Sequence, residues 1–68
     1  MAYYYVNENA QSTGEHEVHK SDCSFLPDAS NRKYLGTFDS CQDAVREAKK
    51  YYSTVDGCYY CCKPCNHG

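Results

Sequence analysis

Cys58-Tyr59-Tyr60-Cys61-Cys62-Lys63-Pro64-Cys65 gathers four of the chain's six cysteines into one short stretch. The other two are Cys23 and Cys41, and His19 stands just upstream of Cys23. Around this cluster the chain has little with which to build a core. It has no Ile and no Trp. Its larger apolar residues are Val6, Val18, Val45, Val55, Leu26, Leu35, Phe25 and Phe38, beside a set of tyrosines. A domain this small hides only about 60% of its unfolded surface and usually needs a staple. The cysteines are the staple this sequence offers.

The 68 residues make one domain, 1–68. A net charge of -2 excludes the strongly basic balance of an obligate nucleic-acid binder, though not a local basic face. The eight tyrosines supply much of the apolar surface, and each hydroxyl needs water or a partner. The first residues, Met1-Ala2-Tyr3-Tyr4-Tyr5, have neither the basic start nor the apolar run of a secretory leader. No stretch approaches a membrane span. The expectation is a cytoplasmic protein, and in a reducing compartment a cysteine cluster points to metal before disulfides.

Along the chain, Ala2–Asn7 is aromatic and β-branched and predicts a strand. Residues 8–15 read as a polar loop, and His16–His19 as a short strand with Val18 facing inward. The two would form an antiparallel hairpin. Arg32–Phe38 is a further strand, with Tyr34, Gly36 and Phe38 on one face. Ser40 is a helix N-cap with Asp43 as an acidic partner. The following helix, about 41–52, sets Cys41, Ala44, Val45, Ala48 and Tyr52 on one face. Asp43–Arg46 and Glu47–Lys50 pair on the other. Asp56-Gly57 reads as a turn. The fold class is α+β: two or three antiparallel strands, one amphipathic helix and a C-terminal cysteine-rich zinc knuckle.

His19-x-x-x-Cys23 and Cys62-x-x-Cys65 together supply one nitrogen and three sulfurs, a complete structural zinc set. Pro64 inside the second pair suits a tight knuckle. Cys58-x-x-Cys61 is the alternate pair, and His67 is an alternate to His19. Adjacent Cys61 and Cys62 should not share an ion, because neighbouring side chains diverge. The competing reading treats cysteines as disulfides or small buried hydrophobes. A structural zinc contributes on the order of 10 kcal/mol to such a domain, enough to offset a thin core.

The order His-x-x-x-Cys, strand, Phe38-Asp39-Ser40, helix with Ala44 and Ala48, Gly57, then Cys62-Lys63-Pro64-Cys65 resembles the Ada-type zinc-binding domain, over residues 19–65. Small zinc modules at the ends of some bacterial nucleases look similar. The resemblance implies a compact α+β domain with one zinc in a Cys3His set, and it favours Cys62 and Cys65 as ligands. The family's methyl-accepting cysteine is matched here by His19, so methyl transfer is not implied. Cys41, Cys58 and Cys61 are extra to the family pattern, and 1–18 has no counterpart.

Cys41, Cys58 and Cys61 are then spare thiols or disulfide partners. Cys58-x-x-Cys61 lacks the βαβ context of a redox dithiol. No third group orients a Cys–His pair for nucleophilic catalysis, so no enzymatic activity is expected. Arg46, Lys49, Lys50 and Lys63, with Tyr51, Tyr59 and Tyr60 near, are the candidate nucleic-acid contacts, against a plain solvated helix face. Tyr3–Tyr5 could pair with a second copy if it formed an open edge. The expected function is a structural-zinc binding or interaction module. Its alternatives are a nucleic-acid-binding module and a disulfide-stapled or thiol-redox protein.

Overall fold

The computed structural model describes residues 1–66. Its elements are strands β1 (Ala2–Asn7), β2 (His16–Lys20) and β3 (Arg32–Phe38), helix α1 (Cys41–Ala48) and strand β4 (Val55–Gly57). Single 3-10 turns lie at Ala29–Asn31 and Lys63–Cys65. The strands form one sheet in the order β3-β1-β2-β4. The class is α+β, as the sequence predicts.

β1 and β2 pair antiparallel, with Val6 opposite Val18 and Tyr5 opposite His19. Alternation then sends Tyr4, Val6 and Val18 to one face and Tyr3, Tyr5 and His19 to the other. The first face meets α1. Val6, Val18, Ala44 and Ala48 are fully buried there, with Tyr4 and Cys41 nearly so. The core is thin, and Cys58, Cys62 and Cys65 complete it.

β1 is central, paired with β2 on one side and β3 on the other. Tyr3–Tyr5 therefore offers no open edge, and strand addition would have to use β3 or β4.

β3 corrects one expectation. Its register against β1 slips between Tyr4 and Tyr5, so Tyr4 faces Gly36 while Tyr5 faces Tyr34. Leu35 is the extra residue of a bulge, and a bulge reverses alternation beyond it. Gly36 and Phe38 thus share the helix face, and Tyr34 turns outward, half exposed. The bulge needs Gly36, whose φ of 127° is open to glycine but costly for other residues.

α1 begins as expected. The Asp43 amide donates to Ser40 Oγ at 3.4 Å, and Asp43–Arg46 and Lys50–Glu47 pair at 3.1 and 3.0 Å. It ends at Ala48, short of residue 52. The Lys50 and Tyr51 amides reach back only three residues, to Glu47 and Ala48. Tyr52 leaves the helix to stack on His16, ring centroids 3.8 Å apart.

Asp56-Gly57 is not a turn. Val55–Gly57 runs parallel to β2, with Val55, Asp56 and Gly57 opposite His16, Glu17 and Val18. Three residues show no alternation to read. This short strand sets the position of everything after it.

Candidate metal centre

Because β2 and β4 are parallel neighbours, their C-terminal ends emerge side by side. His19 is the next-to-last residue of β2. The chain then turns sharply, the Cys23 amide donating to Lys20 O at 3.1 Å, and returns Cys23 to His19. Cys58 follows β4 directly, tied by its amide to Val18 O at 2.9 Å. A helical turn from Cys58 to Cys62, closed at 2.8 Å, swings Cys61 back to the same point.

The result is a four-residue group, His19, Cys23, Cys58 and Cys61, whose ligand atoms all lie within 4.8 Å of one another. Cys23 Sγ is 3.8 Å from Cys58 Sγ and 3.7 Å from His19 Nδ1, and Cys61 Sγ is 4.0 Å from the same nitrogen. With usual zinc–sulfur and zinc–nitrogen bonds, a regular tetrahedron has sulfur–sulfur edges of about 3.8 Å and sulfur–nitrogen edges of about 3.6 Å. These three separations match edges of one tetrahedral site, so the group could hold an ion.

Neighbouring groups suit that role. The Lys20 amide donates to Cys61 Sγ at 3.3 Å, which favours a thiolate. His19 Nε2 lies 3.5 Å from Glu17 Oε1, leaving Nδ1 for the cluster. Burial lowers the His19 pKa, so the imidazole is held neutral, as a ligand must be. Burial pushes the Cys61 thiol pKa up, with the contact to Cys23 adding to it. An ion entering here must displace that proton.

The cysteine pair in the group is Cys58/Cys61, the alternate of the sequence reading. Cys62 and Cys65, favoured for Pro64 and for the family likeness, lie elsewhere. Both are buried in the core, and Cys65 Sγ is 2.9 Å from Cys41 Sγ. The physical reason is the direction of the chain out of β4. Cys58 leaves the strand already level with His19, whereas the later turn carries Cys62 and Cys65 inward. Of the adjacent pair, Cys61 belongs to the four-residue group and Cys62 is buried in the core. His67 lies outside the described residues.

Two of the candidate nucleic-acid contacts are held in ion pairs. Arg46 and Lys50 are engaged with Asp43 and Glu47. Lys63 instead sits 5.4 Å from the centre of the Tyr59 ring. Lys49 and Arg46 line a surface pocket with Gln42, Val45, Pro64 and Cys65.

Sequence reasoning missed Glu17 as the partner of His19. Its place two residues upstream, on the same strand face, was the available signal. It also missed Phe25 and Tyr60, which stack with centroids 4.3 Å apart although both are mostly exposed. Phe25 comes from the loop after Cys23, and Tyr60 lies between Cys58 and Cys61. The two metal loops thus present a joint aromatic surface. No helix among the described residues is long and apolar enough to cross a membrane.

Comparison with protein-family models, curated proteins and solved structures gives no match to this chain.

Proposed function

We propose that this protein is a small binding module held together by one structural zinc ion, with His19, Cys23, Cys58 and Cys61 as its ligands. The supporting observation is the convergence of three sulfurs and one imidazole nitrogen within 4.8 Å of one another. Soft thiolate donors with an imidazole select zinc over calcium or magnesium. Four protein ligands leave no open position for a reacting water, so the ion holds structure and does no catalysis. It ties the turn after β2 to the turn after β4 and so supplies cohesion that the aliphatic residues do not. The exposed Phe25–Tyr60 stack grows from those same two turns, and a partner would meet it only while the ion holds them together.

The likeness to Ada-type zinc domains belongs to this proposal. The family pattern is matched through Cys62-Lys63-Pro64-Cys65, so a site built from Cys58 and Cys61 departs from it and keeps only the order of a His-x-x-x-Cys, strand, helix and a Cys-x-x-Cys. The methyl-transfer chemistry of that family is not part of the proposal.

Native mass spectrometry of protein purified under reducing conditions tests this reading. One zinc per chain is expected, and a chelator should abolish the cooperative thermal transition. Protein that carries no metal, or keeps its fold after chelation, would overturn it and favour the disulfide-stapled alternative.

A further inference from the structure

Two cysteine pairs differ in their sulfur–sulfur distance. Cys23 and Cys58 stand 3.8 Å apart, an ordinary non-bonded separation that suits two ligands of one ion. Cys41 and Cys65 stand 2.9 Å apart, sulfur to sulfur. Non-bonded heavy atoms are most stable at about 3.5–4.0 Å, and a disulfide bond measures about 2.05 Å. The second pair lies between these limits, with its two sulfurs in direct contact.

We infer that Cys41 and Cys65 form a dithiol that closes to a disulfide on exposure to a low-molecular-weight disulfide such as oxidised glutathione, separately from the metal group. Both residues are held in place by the fold. Cys41 is the first residue of α1. Cys65 ends the Lys63–Cys65 turn, and its Cβ packs so closely over Gly57 that a methyl there would come within 2.6 Å. Neither is sealed from solvent. Cys65 lines a surface pocket of about 290 Å³ with Arg46 and Lys49. Cys41 lines a neighbouring one with Lys20, Asp39, Ser40, Pro64 and Cys61 of the four-residue group. Arg46, although paired with Asp43, and Lys49 give the first pocket a basic rim suited to the carboxylates of glutathione.

The exchange balances without another reactant. The Cys41 thiolate, at the start of α1, attacks one sulfur of the glutathione disulfide, forming a mixed disulfide and releasing one glutathione thiolate. The Cys65 thiol then gives up its proton as it attacks Cys41 Sγ and releases the second. The two protein protons pass to the two glutathione thiolates, and the protein is oxidised by two electrons as glutathione disulfide is reduced. The bond would join the start of α1 to the C-terminal turn.

The test treats the full-length, zinc-loaded protein with oxidised glutathione and reads native mass and non-reducing peptide maps. A loss of about two mass units is expected, one pair of hydrogens per disulfide formed. Zinc should be retained, and one cross-linked peptide should contain Cys41 and Cys65. Cys65→Ser should instead accumulate one glutathione on Cys41. No mass change in the wild type, a wild-type mixed disulfide that persists, or a cross-link through another cysteine would overturn the inference. The metal reading is scored separately by the zinc bound before oxidation: protein that never held zinc yet cross-links Cys41 to Cys65 would sink that reading and leave this one standing, whereas zinc lost on cross-linking would overturn the separation inferred here.

Discussion

Glu17 Oε1 stands 3.5 Å from His19 Nε2, on the far side of the imidazole from Cys23 and Cys61. A carboxylate behind a metal-binding histidine fixes its tautomer and raises its basicity, and losing such a partner typically costs roughly 10–100-fold in metal affinity. Glu17→Gln keeps size and strand pairing but removes the charge. It should weaken zinc binding by about that factor. Competition with a chromophoric chelator measures it, and an unchanged affinity would mean that Glu17 does not orient His19.

The two cysteine pairs should separate cleanly in zinc content. Cys61→Ser removes a donor from the four-residue group and should lose stoichiometric zinc. Cys65→Ser alters the core but leaves that group intact, so its zinc content should stay at one per chain. The reverse outcome would restore Cys62 and Cys65 as the ligands.

Much of the architecture was legible because local signals agreed. The β1–β2 hairpin, β3 and the Ser40-capped helix each follow from alternation, periodicity or capping chemistry. The metal group was only half legible. His19 and Cys23 are near each other in sequence, so their meeting depends on one turn. The choice between Cys58/Cys61 and Cys62/Cys65 depends on β4, and three residues in parallel pairing leave no periodic trace. Pro64 pulled the reading the wrong way. It opens a 3-10 turn in which Cys65 points into the core. The face of Tyr34 was misread for a similar reason, since a single bulge at Leu35 inverts a pattern that counting by twos assumes.

Gly57 is where the C-terminal segment closes over the sheet. A Cβ added there would lie 2.6 Å from both the Cys62 carbonyl oxygen and Cys65 Cβ, and neither is a flexible side-chain end. Gly57→Ala should therefore force the turn away from β4. Overpacking of this kind costs about 1–3 kcal/mol, and the tight backbone contact places this case at the upper end. Denaturant unfolding with zinc present would measure it, and a change under about 0.5 kcal/mol, the range of neutral surface substitutions, would contradict the packing described.

Alkaline pH should destabilise the reduced protein through its buried acids. Burial pushes the Tyr4 hydroxyl up to about 12 from 10.0, with the nearby Cys62 and Cys41 thiols adding to the shift. Burial likewise raises the Cys65 thiol from 9.0 to about 12, with Cys41 beside it. A group whose pKa is higher folded than unfolded keeps more protons in the native state. Its contribution is fully present below the unfolded value and is lost as pH rises through the folded one. Stability should thus hold to about pH 9 and fall progressively towards about pH 12. Tyr4→Phe removes the phenolic proton while keeping the ring against Phe38, so it should flatten the upper part of that decline. Thermal midpoints of the two proteins across this range provide the comparison, and parallel curves would show that Tyr4 ionises as freely in the fold as outside it.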